Sequence, residues 1–142
     1  MATERKFTRP IKIGDIFMSH FDGDGNEQLG YRPCLVIQNN TGNRYSPNVI
    51  VLPLTSSLKK QQQPTHVVIY ARDSGLKTDS MVLCENPKCI SKDKLERYIT
   101  TLSDHYMEMI AEAYILATSV ISFISIEMIS SVWAKASALN YC

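Results

Sequence analysis

The chain has 142 residues, of which 44% are hydrophobic and 20% are charged, enough apolar material for one domain of ordinary size with a true core. Fifteen Lys and Arg residues against fourteen Asp and Glu residues give a net charge of +1, too small to identify a nucleic-acid-binding protein by charge alone. The polar N-terminus lacks the apolar stretch of a secretion signal, so we expect a cytoplasmic protein whose four cysteines are thiols.

Three strands are predicted in the N-terminal part of the chain. Residues 13–18 alternate weakly between apolar and polar side chains and predict the first strand. A buried second strand is expected over 34–37, with Pro33 at its first residue or at a sheet edge, because proline has no N–H to donate. Residues 48–54 predict the third strand, and the Gly-, Asn- and Pro-rich segment 40–47 predicts a turn that would pair the two strands antiparallel.

A cation, Arg32, lies at the open end of this predicted hairpin. Arg32 precedes the second strand and Thr55 follows the third, so antiparallel pairing would bring the two side chains close together. No acid occurs between Gln28 and Lys60, where there are four bases. A guanidinium binds phosphate through two parallel hydrogen bonds, so the pair is suited to a phosphate oxyanion. The alternative is an ordinary surface Arg beside a Thr that ends a strand.

The second half of the chain predicts two more strands followed by helices. The strands are expected over 65–70 and 79–84. Ser91 is a candidate N-cap for a short helix over 91–97, and Ser103 for a longer helix that would cover an open side of the sheet. The expected apolar stripe of the longer helix consists of Met107, Ile110, Ala111 and Tyr114.

The C-terminal part is unusually apolar. From Ala113 to Ala134 the only charge is Glu127, so the segment is long enough for a membrane span. The carboxylate and five serines make a span costly in lipid. We therefore favour a helix buried against the core, with its remaining apolar surface in a homo-oligomer interface.

Metal and proton-transfer sites have weak support in the sequence. Cys84 and Cys89 form the only close cysteine pair, without a matching second pair or a nearby His, so we expect buried thiols and no metal site. His66 could move a proton, although a lone His in a strand is more often structural.

Short motifs follow one another in a characteristic order along the chain. They are Gly14-Asp15-Ile16, Glu27-Gln28, Gly30-Tyr31-Arg32-Pro33, Leu35-Val36-Ile37-Gln38-Asn39, Gly42-Asn43, Ser46-Pro47, Leu54-Thr55, Pro64-Thr65-His66-Val67, Gly75-Leu76, Asp79-Ser80 and Leu102-Ser103-Asp104. In this order they resemble the MazF/PemK family of toxins from bacterial toxin–antitoxin pairs. The resemblance covers about 12–117 of a single domain, 1–142, and leaves an apolar helical tail over about 118–142.

The resemblance implies an α+β fold. The expected fold is a small, strongly curved, β-barrel-like (SH3-like) antiparallel sheet with flanking helices and an extended C-terminal helix, in a homodimer. The implied activity is that of a metal-independent endoribonuclease without a cofactor, which cuts single-stranded mRNA at a short sequence and inhibits growth. An antitoxin with an extended acidic segment would block the RNA groove, and no membrane is involved. The alternative is a non-catalytic toxin on the same fold that binds a protein target such as a topoisomerase.

The resemblance also assigns roles to residues. The family's active-site Arg falls on Arg32, its Thr on Thr55 and its loop Glu on Glu27. Because RNA supplies its own 2′-hydroxyl nucleophile, Arg32 and Thr55 would bind the phosphate oxygens while Glu27 or His66 takes the proton. The residues expected to contact RNA are Phe17, Phe21, Tyr31, Gln38, Asn39, Ser56, Lys59, Lys60 and His66, together with the loop 58–63.

Two features depart from the family pattern. The loop 19–26, ahead of Glu27, is more acidic and richer in glycine, and the tail after about residue 117 is longer and more apolar. Neither removes Arg32 or Thr55. A protein that only binds a target has no need for Glu27, Arg32 and Thr55 together, which favours the nuclease.

Overall fold

The computed structural model describes residues 9–22, 30–58 and 63–141. Within these ranges the strands are β1 (Asp15–Phe21), β2 (Gly30–Val36), β3 (Asn48–Thr55), β4 (His66–Ile69), β5 (Ser80–Leu83), β6 (Lys88–Ser91) and β7 (Leu95–Thr101). The α-helices are α1 (Asn40–Tyr45), α2 (Ala71–Ser74), α3 (Asp104–Leu116) and α4 (Ile126–Ala138). Two 3₁₀ turns occupy Lys92–Lys94 and Val120–Phe123.

The strands form one antiparallel sheet. Its order is β4-β5-β3-β2-β1-β7, and β6 pairs with the first half of β3. The expected antiparallel sheet with flanking helices and a C-terminal helix is confirmed. In the described ranges, however, no pairing joins β4 to β7, so the sheet is not closed into a barrel.

The sheet buries apolar side chains on both faces. Because side chains alternate along a strand, each strand contributes to two clusters. One cluster lies under α3 and includes Ile16, Leu35, Leu52, Leu54, Val82 and Ile110. The other cluster lies on the opposite face and includes Phe17, Phe21, Cys34, Val36, Val51 and Leu95. Residues in the central strands are therefore held rigidly from both sides.

A short helix, and not a simple turn, connects β2 to β3. The Asn39 side chain caps α1 by accepting a hydrogen bond from the Gly42 N–H at 2.8 Å. Gln38 lies across the helix and donates to the carbonyl oxygen of Asn48 at 3.0 Å. A Cβ on Gly42 would lie 2.9 Å from the Gln38 side chain, so a larger residue there would displace the Gln38 amide. The antiparallel pairing of β2 with β3 is as predicted.

Pro33 is the fourth residue of β2, so its predicted place at the first residue of the strand is wrong. It pairs with Met18 of β1. The pairing of β2 with β3 runs only from Val36 to Cys34, so at Pro33 the strand has a neighbour on the β1 side alone. Proline is tolerated there because this position is a local sheet edge.

The helix predicted over 91–97 is wrong. Ser91 does cap a 3₁₀ turn, accepting a long hydrogen bond from the Asp93 N–H at 3.4 Å, but the turn ends at Lys94 and β7 follows. The strand forms because Leu95 is fully buried and β7 pairs with β1. Pairing with a distant strand overrides the local helix signal.

The longer predicted helix is confirmed as α3. The Ser103 side chain caps it and accepts from the Tyr106 N–H at 3.4 Å. Its buried residues are Tyr106, Ile110 and Ala113, with Met107 partly buried. Of the predicted stripe, Ala111 and Tyr114 are exposed, so the buried face is rotated away from them.

The apolar C-terminal part is divided into separate elements. Helix α3 ends at Leu116, and α4 begins at Ile126 after a 3₁₀ turn. Among the described helices, none combines the length and the apolarity needed to cross a bilayer. No residue of α4 is buried, so the expectation of a helix buried against the core of its own chain is wrong.

A buried carboxylate joins the start of β1 to the end of β7. Asp15 is fully buried and accepts hydrogen bonds from the Lys12 N–H at 2.9 Å, from Thr101 Oγ1 at 2.6 Å and from Arg9 Nη2 at 3.3 Å. Because Asp15→Ala leaves these donors without their acceptor, we expect it to lower the free energy of unfolding by about 2–4 kcal/mol. Urea unfolding followed by circular dichroism measures the loss.

The control for this prediction is Arg9→Ala. It removes a partly exposed ion-pair partner together with the contact of the Arg9 guanidinium with the Tyr98 ring, 4.0 Å from its centroid, so its expected cost is about 1 kcal/mol. A similar small loss for Asp15→Ala would contradict the structural role of the carboxylate.

Candidate active site

The β2–β3 hairpin brings Arg32 to Thr55. Cys34 lies opposite Pro53 in the antiparallel register, and side chains two positions apart share a face. Arg32 and Thr55 therefore project on the same face of the sheet, away from α3. Arg32 Nη1 donates to the carbonyl oxygen of Leu54 at 3.3 Å, which places the guanidinium beside the backbone of Thr55.

Thr55 presents a hydroxyl in a fixed orientation. The residue is buried, lies opposite Met81 of β5 and ends β3. Its Oγ1 accepts a hydrogen bond from the Ser57 N–H at 3.2 Å. Since this bond uses an acceptor position of the oxygen, the hydroxyl proton remains available for donation. Ser56, predicted to contact RNA, is exposed next to this hydroxyl.

Arg32 supplies a positive charge on a rigid strand. Partial burial lowers the pKa of Arg32 from its usual value, because loss of solvent disfavours the charged form. A guanidinium nevertheless stays protonated at physiological pH. Together Arg32 and Thr55 can donate several hydrogen bonds to one tetrahedral anion, which is the chemistry of a phosphate site.

The two phenylalanines proposed to stack on bases lie in the core. Phe17 is fully buried and Phe21 is 4% exposed. The Phe17 ring packs edge-on against Tyr98, with 5.7 Å between the ring centroids. A ring with no exposed face cannot stack on a nucleotide, so the predicted RNA contacts of Phe17 and Phe21 are wrong for this structure.

Gln38 and Asn39 lie at the opposite end of β2 from Arg32. Six residues of strand separate Arg32 from Gln38, which corresponds to roughly 20 Å. The side chains of Gln38 and Asn39 hold α1 and the start of β3. The structure gives them this local role and does not bring them to Arg32.

Tyr31 is half-exposed and forms an aromatic pair that the sequence did not predict. It lies opposite His20 in the pairing of β1 with β2, and the two ring centroids are 4.6 Å apart. Tyr31 precedes Arg32 in the strand and therefore projects on the other face. To find this pair from the sequence, one would need to know the pairing register of β1 with β2.

His66 has a partner of its own, Glu85, and lies two strands away from Thr55. Its side chain is 4% exposed, and Nε2 lies 2.7 Å from Oε1 of Glu85. Nδ1 is buried without a hydrogen-bond partner among the described residues. Because β5 lies between β4 and β3, His66 is roughly 10 Å or more from Thr55. Glu85 gave no signal in the sequence.

Three predicted site residues cannot be placed. Glu27, Lys59 and Lys60 lie outside the described residues.

The described residues contain no group of three His, Cys, Asp or Glu side chains that could hold a metal ion. Burial raises the pKa of the Cys34 thiol to about 12. Burial and the charge of Glu85 do the same for Cys84, whereas Cys89 is exposed.

Comparison with known proteins places this chain in a family. The family model described as PemK-like, MazF-like toxin of type II toxin-antitoxin system matches residues 12–117. Endoribonuclease EndoA of Bacillus subtilis (strain 168) is 40% identical over 114 residues, which cover 80% of this chain and 98% of that protein.

Solved structures have the same fold. The Mycobacterium tuberculosis toxin MazF-mt6 matches with a TM-score of 0.62 and 27% identity, over 72% of this chain and 94% of that chain. A Mycobacterial endoribonuclease solved in complex with its cognate antitoxin matches with a TM-score of 0.61 and 25% identity, over 75% and 93% of the two chains. The chain therefore belongs to the PemK-like, MazF-like toxins of type II toxin–antitoxin systems.

Proposed function

We propose that the chain is a toxin that acts as an endoribonuclease, cutting single-stranded RNA at a short sequence without a metal ion or cofactor. The observation that carries the proposal is that Arg32 and Thr55 lie on one face of the β2–β3 hairpin, with Arg32 Nη1 3.3 Å from the carbonyl oxygen of Leu54, the residue before Thr55. The name of the relative EndoA, an endoribonuclease, supports it.

The substrate supplies the nucleophile in this mechanism. The 2′-hydroxyl attacks the adjacent phosphorus, the 2′ O–P bond forms, and the P–O5′ bond breaks in line with it. Negative charge develops on the non-bridging phosphoryl oxygens. Arg32 binds these oxygens through its guanidinium, and Thr55 donates its hydroxyl proton to one of them. The protein thus stabilises the transition state with groups that are already in position.

Two protons must move during the reaction. One leaves the attacking 2′-hydroxyl and one reaches the departing 5′-oxygen. A charged guanidinium is a poor base, and His66 is held by Glu85 at a distance from Thr55. We therefore assign the first proton to Glu27, on the strength of the family resemblance.

Two of the predicted RNA contacts that remain in the proposal are exposed residues. Ser56 follows Thr55 in the chain, whereas Tyr31 is half exposed but projects on the face opposite Arg32, so it would contact RNA away from the Arg32–Thr55 face. Lys59 and Lys60 follow in the sequence and would bind the RNA backbone as cations. Phe17, Gln38, Asn39 and His66 are removed from the proposed RNA contact.

The proposed partner is a cognate antitoxin. A Mycobacterial relative was solved in complex with its own antitoxin. We propose that an extended acidic segment of the antitoxin covers Arg32 and competes with the phosphates of RNA. As the resemblance implies, the toxin would act as a homodimer in the cytoplasm.

The test is cleavage of a long single-stranded RNA in excess EDTA, with the cut sites mapped by primer extension. We expect cuts at one recurrent short sequence. A DNA of the same sequence is the matched control and should stay intact, because it lacks the 2′-hydroxyl. Intact RNA together with growth arrest in cells would contradict the nuclease and favour the non-catalytic toxin that binds a protein target.

A further inference from the structure

Helix α4 carries an apolar face that no described residue of its own chain covers. The face consists of Ile126, Met128, Ile129, Val132, Trp133 and Leu139. At 3.6 residues per turn these side chains fall on one side of the helix, and Glu127, Ser131 and Lys135 fall on the other. Every residue of α4 is described and none is buried. The exposures of the six apolar residues range from 47% to 83%.

The size of this face matches one half of a protein interface. If a fully exposed large side chain has roughly 200 Å², the six residues expose on the order of 700 Å². The largest apolar patch of a typical monomer is about 300–600 Å², and a stable complex buries about 800 Å² from each partner. Aromatic residues and Met, here Trp133 and Met128, are enriched in such interfaces.

The helix is capped at its N-terminus and contacts α1 after its C-terminus. Its N-terminus is capped by Ser125, whose Oγ accepts from the Met128 N–H at 3.2 Å. After its C-terminus, the carbonyl oxygens of Leu139 and Asn140 each lie 3.4 Å from Thr41 Oγ1 of α1. An isolated helix of this length is only marginally stable in water. Covering the apolar face would therefore stabilise α4 in this position.

The charges of α4 favour a neutral protein partner. Its only charged residues are Glu127 in the first turn and Lys135 in the last turn. Helices that lie on anionic membranes have a face rich in Lys and Arg, which α4 lacks. An acidic peptide would likewise find little positive charge here. A second copy of the same apolar face is complementary in both charge and polarity.

The surface also lies outside the part shared with the family. The family model ends at residue 117, and EndoA is covered to 98% by only 80% of this chain. The residues of α4 therefore belong to this chain's own extension and are separate from Arg32 and Thr55.

We propose that the apolar face of α4 is a self-association interface between two copies of this chain, with Ile129 and Trp133 at its centre. In a two-fold arrangement the same face is buried on both copies. The proposal does not depend on the proposed nuclease activity.

The test compares two double variants of the full chain by sedimentation equilibrium over a wide range of concentrations. Ile129→Gln with Trp133→Gln changes the apolar face and keeps good helix-forming residues. Ser131→Gln with Lys135→Gln is the matched control on the other side of α4. We expect the first variant to raise the dissociation constant of self-association at least about 100-fold, and the control to leave it unchanged.

Trp133 is the only tryptophan, so its fluorescence reports on the same interface in the unaltered protein. On dilution, acrylamide quenching of Trp133 should increase over the concentration range in which the mass falls. Any homodimer formed outside α4, as the family resemblance implies, is common to the wild type and the apolar-face variant, so equal masses for the two would overturn the proposal. Dissociation of the species that the variant loses, without a change in quenching, would overturn it as well. A further outcome would assign the face to lipid instead: the wild type floats with phosphatidylcholine–phosphatidylglycerol vesicles, and the wild type and the apolar-face variant have the same mass in solution.

Discussion

Arg32→Ala is expected to lower the rate of RNA cleavage by about 10³-fold while leaving the protein folded. The guanidinium is proposed to bind the phosphoryl oxygens as their charge increases, and losing one such donor in an enclosed site typically costs about 10²–10³-fold. Because the variant also loses a full positive charge, we expect its loss of rate at the upper end of this range. Arg32 is only partly buried and one of its hydrogen bonds is to the carbonyl oxygen of Leu54, so we expect the variant to stay folded at the temperature of the assay.

Single-turnover cleavage of a defined RNA measures this effect, with thermal unfolding measured on the same samples. Arg32→Lys keeps the charge but loses the planar pair of donors, so we expect most of the activity to be lost in this variant as well. Arg44→Ala is the matched control, because Arg44 is an exposed cation in α1, at the other end of the hairpin. A folded Arg32→Ala protein that cleaves like wild type would remove Arg32 from the catalytic assignment.

The Arg32–Thr55 hairpin could be predicted because its determinants are local. Two apolar runs separated by the Gly-, Asn- and Pro-rich segment 40–47 specify an antiparallel pair, and the ends of that pair meet by geometry alone. The short helix between the strands does not change this result. Asn39 caps that helix, yet β2 and β3 still pair with Cys34 opposite Pro53.

Distant contacts decided the elements that the sequence did not predict. The cap at Ser91 is real, but whether a helix follows depends on β1, which pairs with β7 and buries Leu95. The same limit applies to the expected base contacts. An aromatic residue in a strand can face solvent or core, and only the neighbouring strands decide that Phe17 is buried while Tyr31 is exposed.

The tail shows a different limit. Composition alone indicated that the segment from Ala113 to Ala134 needs a covered environment, and the apolar face of α4 is consistent with that need. The sequence could not identify what covers it. Burial against the same chain was the favoured interpretation, and the structure leaves the face of α4 exposed.

Thr55→Val is expected to lower the cleavage rate by about 10²-fold. Valine has nearly the same shape as threonine, so it fills the buried position at the end of β3 without leaving a cavity. What it lacks is the hydroxyl, which accepts from the Ser57 N–H and is proposed to donate to a phosphoryl oxygen. The variant therefore removes one donor to the transition state, together with one local hydrogen bond.

Thr55→Ser is the control for a change in side-chain shape, because it alters the shape of the residue but keeps the hydroxyl. Serine keeps the hydroxyl and its bond to Ser57, so we expect its cleavage rate to stay within about tenfold of wild type. Single-turnover rates and RNA affinity are measured on the same RNA for both variants. If the hydroxyl acts in the transition state, Thr55→Val loses rate with little loss of affinity, because only interactions stronger in the transition state accelerate the reaction. Equal rates for the Val and Ser variants would show that the hydroxyl has no part in catalysis and that Thr55 only ends the strand beside Arg32.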